Sequence, residues 1–444
     1  MQLSLLTSSH NKLTRDWFSL PLAAILLLAS LPLMAKELSS TLSIRQQLSL
    51  QQAIEKSLLS HPALAGYQYR LMSIDASAKQ AAVGEKPEVS LFIEDALGTG
   101  QYAMLDRAQS TLSISWVLQG GLLEQRTNAA QSKVDVTKIE RDILRYDIAA
   151  QTAHAFLTVL GLQEKLVVAK KAVLYTVDIL TEIQRRVDAG RSPLADKLQA
   201  EVNLQRRELV VEDIQHELKS AMKLLASQWG SSQLDDTTVN GDITLSRQLA
   251  NYDELEKRIS SNPDVRYFLT QQRVIDSEIT LAQEEVKNRW RFNTGVRRYE
   301  TTSDYGLTFG VSLPLGKSTR NQHQISALNA QQARYSADSR AKEIQLSTQL
   351  YVLYQELQHS YHLNDALTKN ILPRLERALT ETQKAYSLGK YSYRAWYDLQ
   401  SEVLETRMQL IDVRLAAHNN LTEIERLTGL NITASRSATR VTNE

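Results

Sequence analysis

The 444-residue chain has no cysteine, which excludes a disulfide scaffold, a thiol nucleophile, thiolate metal sites and an acylated N-terminal cysteine anchor. Turn-forming residues are also scarce, 16 Gly and 8 Pro, so the elements between turns must be long. Neither sign of charge dominates: 51 basic side chains stand against 50 acidic ones, and nothing in that balance suggests nucleic acid as a partner. Beyond the N-terminus there is no apolar run long enough to span a bilayer as a helix. Hydrophobic residues make up 43% of the chain, yet mean hydropathy is −0.31, so the body is amphipathic. Ser, His and Asp are scattered over long helical patterns, with no nucleophile constellation, acid–base pair or phosphate loop. The chain reads as a non-enzyme with no cofactor and no resident metal. His359 and His362 have an i, i+3 spacing that suits a metal, but no further ligands accompany them.

The N-terminus differs from the rest. Lys12 and Arg15 precede the apolar run from Leu20 to Leu31, and Leu33-Met34-Ala35 follows. This is the layout of a secretory signal peptide, residues 1–35, with cleavage after Ala35. An uncleaved anchor is the alternative, disfavoured by the short run and by Pro21 and Pro32. Removal of Lys12, Arg15 and Asp16 takes the formal net charge from +1 to 0.

The remainder repeats itself at an offset of 201 residues: Glu55-Lys56 recurs as Glu256-Lys257, His61-Pro62 as Asn262-Pro263, Ile74-Asp75 as Ile275-Asp276, and Leu198-Gln199 as Leu399-Gln400. Such self-similarity indicates duplication. The first repeat, 36–240, reads as a helix over 49–83 broken near Pro62, strands at about 88–95 and 110–119, a long helix over 122–189 and a helix over 193–229. The second, 241–434, reads as a helix over 252–287, strands at about 289–299 and 305–315, a long helix over 322–388 with a kink at Pro373, and a helix over 393–427. Residues 435–444 form a polar tail expected to be disordered.

Each strand has an apolar and a polar or small face. Val89, Leu91 and Ile93 oppose Ser90 and Glu94; Phe292, Thr294 and Val296 oppose Arg291, Asn293 and Arg297. Their length suits tilted membrane strands, and Trp116, Trp290, Tyr299 and Tyr305 lie near strand ends, as an interfacial girdle requires. A soluble four-stranded sheet is the competing interpretation. Four strands cannot close a membrane barrel and open edges cannot stand in lipid, so a membrane reading requires several chains to share one barrel. The long helices are too polar to enter the bilayer and must project from one side.

Two turns carry further motifs, Arg186-Val-Asp-Ala-Gly190-Arg-Ser192-Pro-Leu-Ala-Asp196 and Ala385-Tyr386-Ser-Leu-Gly389-Lys-Tyr-Ser392-Tyr-Arg-Ala-Trp-Tyr-Asp398. With the duplicated layout and the Leu313-Pro314-Leu315 step, they make the chain resemble the TolC-type outer-membrane efflux ducts over about residues 47–432. The resemblance implies a mixed α and β membrane protein: a homotrimer whose twelve strands, four per chain, form an outer-membrane β-barrel continued by a long periplasmic α-helical barrel. It implies outer-membrane lipid, a periplasmic adaptor (membrane fusion) protein and an inner-membrane pump of the resistance-nodulation-division (RND) type as partners. The turns would form the periplasmic tip, with Arg186, Gly190, Arg191, Ser192, Gly389, Lys390 and Ser392 as adaptor contacts, and Asp196, Asp398 and Tyr386 as the pore gate. Tyr391 departs from the arginine some members carry there, leaving gate bonding to Lys390 or Arg394. Glu94-Asp-Ala-Leu-Gly98-Thr-Gly100 and Ser110 to Gly121 are similar to the heavy-metal (Czc-like) subgroup, as is Arg320-Asn321-Gln322.

The expected function is passive conduction of substrates, heavy-metal cations by this resemblance, from pump and adaptor to the outside. A duct for multidrug efflux or type I protein secretion is the alternative within the class. A soluble periplasmic coiled-coil scaffold is the alternative outside it.

Overall fold

The structure is a computed structural model that describes residues 47–231, 238–245, 251–316 and 319–430. The expected signal peptide and the polar tail lie outside the described residues.

A two-residue strand, β1 (Gln47–Leu48), leads into α1 (Leu50–Ser60) and α2 (Pro62–Ala81). Ser49 and Gln52 form a reciprocal capping box at the start of α1. His61 ends α1 and caps α2, its Nδ1 accepting from the Ala63 amide, with Pro62 in the first turn, where a missing N–H costs nothing. Strands β2 (Glu88–Glu94) and β3 (Gln109–Val117) follow, then the 69-residue α3 (Gly120–Asp188) and α4 (Leu194–Ser227). At ~1.5 Å per residue α3 is about 100 Å long. Strand β4 (Thr238–Val239) runs parallel to β1.

The order then recurs: α5 (Tyr252–Glu256), α6 (Pro263–Glu285), β5 (Arg291–Tyr299), β6 (Asp304–Ser312), α7 (Gln322–Ala366), α8 (Leu372–Ser387) and α9 (Tyr393–Thr428). Two expectations are corrected here. The helix expected over 252–287 is interrupted by a 3-10 turn at Ile259–Ser261, and α6 starts anew at Pro263 with Asn262 capping the Asp264 amide. The long second helix does not simply kink at Pro373: a π turn, Leu367–Ile371, separates α7 from α8. Proline lacks an N–H and its ring crowds the carbonyl four residues back, here that of Lys369, and the wider turn relieves both.

The strands form one antiparallel sheet in the order β2-β3-β5-β6. Its register places Glu94, Gln109, Arg297 and Gly306 in adjacent rows on one face, and Leu91, Leu112, Val296 and Leu307 across the other. Apart from Ser110 and Arg298 in the row at the loop end, the second face is mainly apolar and exposed: Leu91, Leu307, Phe309 and Val311 each have more than half their surface open. Near the helix end of that face Phe292 stacks between Trp116, with centroids 5.9 Å apart, and Trp290, at 6.4 Å. Tyr305 shares the apolar face, whereas Tyr299 lies on the polar one, because its register partner is Asp304 rather than Tyr305.

The helices build two main cores. One gathers Phe156, Val159 and Leu160 of α3 with Leu225 of α4, Trp229 and Ile411 of α9. The other gathers Leu346, Leu350 and Leu357 of α7 with Ile259, Ile424 and Leu427. Gly161 lets α9 approach α3: a β-carbon there would overlap the Leu415 side chain. Among the described residues no helix is long and apolar enough to cross a membrane.

Candidate functional site

The two turns joining α3 to α4 and α8 to α9 are built alike. After α3 the Arg191 amide donates to the Arg186 carbonyl at 2.8 Å and the Gly190 amide to that of Val187 at 2.9 Å. After α8 the Lys390 amide donates to Ala385 and the Gly389 amide to Tyr386, both at 2.9 Å. These are Schellman caps, which need a left-handed residue after the helix. Gly190 and Gly389 supply it, with φ of +70° and +72°. The next helices start differently. Ser392 caps α9, its hydroxyl accepting from the Ala395 amide, whereas the cap position of α4 is Pro193, which has no side-chain cap.

A small core lies behind the turns: Ile179 and Ile183 of α3, Ala200 of α4, Tyr386 of α8, and Tyr393 and Trp396 of α9. Tyr386 is only 4% exposed. Its ring lies 5.0 Å from that of Trp396, and the Arg186 guanidinium stacks on it at 4.7 Å. Arg186 Nη1 also donates to the Tyr386 carbonyl, so one side chain clasps the two turns together. The Tyr386 hydroxyl is buried and makes no hydrogen bond within the described residues. Nearby, Asn203 Nδ2 donates to the Tyr393 hydroxyl at 2.9 Å, joining α4 to α9. Burial pushes the Tyr393 phenol up, against the lowering effect of that hydrogen bond.

The sequence-derived residues thus separate. Arg186 is committed within the chain, while Arg191, Gly389 and Lys390 are exposed and Ser192 is half-buried. Asp196 lies half-buried in the first turn of α4. Asp398 is exposed and faces Arg394 at 3.8 Å, an i, i+4 contact between side chains 63% and 80% open. Contacts at such exposure are weak and easily exchanged. Trp396, Tyr393 and Asn203 were missed as tip residues: their contacts run between helices and leave no periodic trace. Above the small core, a cleft of about 820 Å³ opens between α3 and α8 over α9, lined by Tyr175, Glu182, Gln383, Tyr386 and Gln400. His359 and His362 both lie on α7, and among the described residues no cluster of three or more possible ligands forms.

Known proteins share this architecture. The family described as "Outer membrane efflux protein" matches residues 53–231 and 260–430. The cobalt-zinc-cadmium resistance protein CzcC of Cupriavidus metallidurans is 24% identical over 385 residues, 86% of this chain and 90% of that protein. The nickel and cobalt resistance protein CnrC of the same organism is 21% identical over 290 residues, 63% of this chain and 68% of that protein. In structure, the CmeC outer membrane channel of Campylobacter jejuni superposes with a TM-score of 0.69 at 10% identity, covering 88% of each chain. At that identity the likeness shows the fold alone, a mixed α and β channel fold with a helical barrel. Relatives of this kind are passive channels, not enzymes. Strand parity, duplicated layout and family match agree: the chain belongs to the outer membrane efflux protein family.

Proposed function

We propose that three copies of the chain assemble into one duct, in which twelve strands form an outer-membrane barrel and the helices continue it into the periplasm. The sheet carries this reading. It has an apolar face, a polar face and two edges, β2 and β6, with no strand beside them among the described residues. Unpaired backbone edges are not tolerated in lipid, and about eight strands are the least that close a barrel. Edge-to-edge pairing of β6 with β2 of the next copy meets both requirements. The recurring helix, strand pair, long helix and helix order fits an internal duplication that gives each copy two similar segments of wall, six around the duct.

The duct receives its cargo at the tip. Arg191, Ser192, Lys390 and Ser392, with the backbone at Gly190 and Gly389, contact a periplasmic adaptor that couples the duct to an RND-type pump; Arg186 holds the two turns together for that contact. Asp196 and Asp398 of three copies converge near the axis and restrict the pore, and Tyr386 fixes the helix that carries the second turn. The duct supplies no energy and conducts passively. Its substrates are heavy-metal cations, a reading supported by the named resistances of CzcC and CnrC. Deletion of the gene, with complementation, tests it. Hypersensitivity to cobalt, zinc, cadmium or nickel without hypersensitivity to dyes and antibiotics is the expected result. The reverse pattern would make this a multidrug duct.

A further inference from the structure

The polar face of the sheet holds a charge pair with an unusual number of anchors. Arg297 on β5 lies across three strands: Nε donates to Thr111 Oγ1 at 2.9 Å and Nη1 to Gln109 Oε1 at 3.0 Å on β3, and Nη2 to Glu94 Oε2 at 2.9 Å on β2. All three acceptors share its face by register. The next strand makes room for flat-lying side chains. Gly306 is the register partner of Arg297, and a β-carbon there would meet the Tyr299 ring at 3.3 Å. Gly310 likewise leaves space for Asn293. Tyr299 and Asn293 thus lie toward the glycines of β6, while Arg297 lies along the sheet the other way, over β3 to β2.

The charges matter more than the stability of the pair, since exposed ion pairs contribute little to folding. On the polar face the strands carry three carboxylates, Glu88, Glu94 and Asp304, and two guanidiniums, Arg291 and Arg297. Glu94 and Arg297 stand at the loop end, away from the helices. In a threefold barrel an unpaired Arg297 would place three guanidiniums in one belt around the lumen, and such a ring opposes cation entry.

We propose that the Glu94–Arg297 pair is a specificity-determining element of the duct: it lays the guanidinium flat and cancels its charge, so the outer lumen does not repel cationic cargo. This rests on the duct reading above.

The test is ion selectivity. The full-length protein is reconstituted in planar bilayers, and reversal potential is read across a KCl gradient at low salt. Wild type, Glu94→Gln, Arg297→Gln and the double variant are compared, each also with Asp196→Ala and Asp398→Ala so that the tip does not mask the barrel. Removing the carboxylate frees about one positive charge per copy, which shifts the potassium-to-chloride permeability ratio roughly threefold or more toward chloride. Arg297→Gln shifts it the other way, and the double variant returns close to wild type. Channels of normal conductance whose selectivity ignores Glu94→Gln in both backgrounds overturn the proposal and leave the duct standing. A wild-type protein that forms no channel overturns the duct reading and the proposal together.

Discussion

Replacing Gly190 or Gly389 with alanine isolates the backbone cost of the tip turns. Both glycines have φ near +70°. A β-carbon at Gly190 would meet nothing within 4 Å, and at Gly389 it would meet only Arg186 Nη2 at 4.0 Å. Packing therefore contributes almost nothing, and the penalty is that of an L residue held in the left-handed region, about 1–2 kcal/mol. That corresponds to roughly a 5–30-fold increase in local opening. Amide hydrogen exchange at positions 190 and 191, and at 389 and 390, reads this directly, since those N–H groups close the two caps. Asparagine should recover much of the loss because it tolerates this conformation. Gly66→Ala is the control: it lies within α2, a β-carbon meets nothing within 4 Å and φ is not positive, so alanine should stabilise that helix by about 0.5–1 kcal/mol. Exchange at the tip unchanged by Gly190→Ala, or slowed as in the control, would refute the reasoning.

Three further outcomes are expected. In bilayers, Asp196→Ala with Asp398→Ala raises single-channel conductance and weakens block by divalent cations, and unchanged conductance and block would remove these residues from the gate. Gly161→Val lowers thermal stability by about 1–3 kcal/mol, because its side chain must displace Leu415 at the seam of α3 and α9. At the same seam His154 lies between Asn419 Oδ1 and Glu423 Oε1, each at 2.8 Å, and Glu423 and Asp147 both hold Arg426. Hydrogen bonding to Glu423 raises the His154 pKa, and the same bond, together with Arg426, lowers that of Glu423 to about 2. The histidine's contribution to stability is therefore full below about 6.5 and lost as pH rises through its raised value, whereas the glutamate's is lost only as pH falls from about 4.5 through 2. The melting-temperature gap between wild type and His154→Gln should accordingly narrow toward alkaline pH.

How much of this was legible in the sequence depended on the range of the interactions. The strands showed their two faces because alternation is local, and Val89, Leu91 and Ile93 lie on the face assigned to them. The break at His61-Pro62 was visible for the same reason. The matching pair Asn262-Pro263 is equally local, but the 3-10 turn before it, Ile259–Ser261, has no distinct composition. The π turn at Leu367–Ile371 has no distinct composition, and only Pro373 hinted at it. The β1–β4 pair joins residues about 190 apart through two-residue strands, too short to show a period. At the tip the glycines were readable from their place between helices. The burial of Tyr386 under Arg186 and against Trp396 was not, since it arises from three helices meeting.

The central claim is that several copies share one barrel. Purified full-length protein, extracted from outer membranes, can be weighed by native mass spectrometry and then recorded in planar bilayers. The account predicts a trimer that inserts as a single conducting unit. A monomer that remains water-soluble and gives no conductance would contradict it.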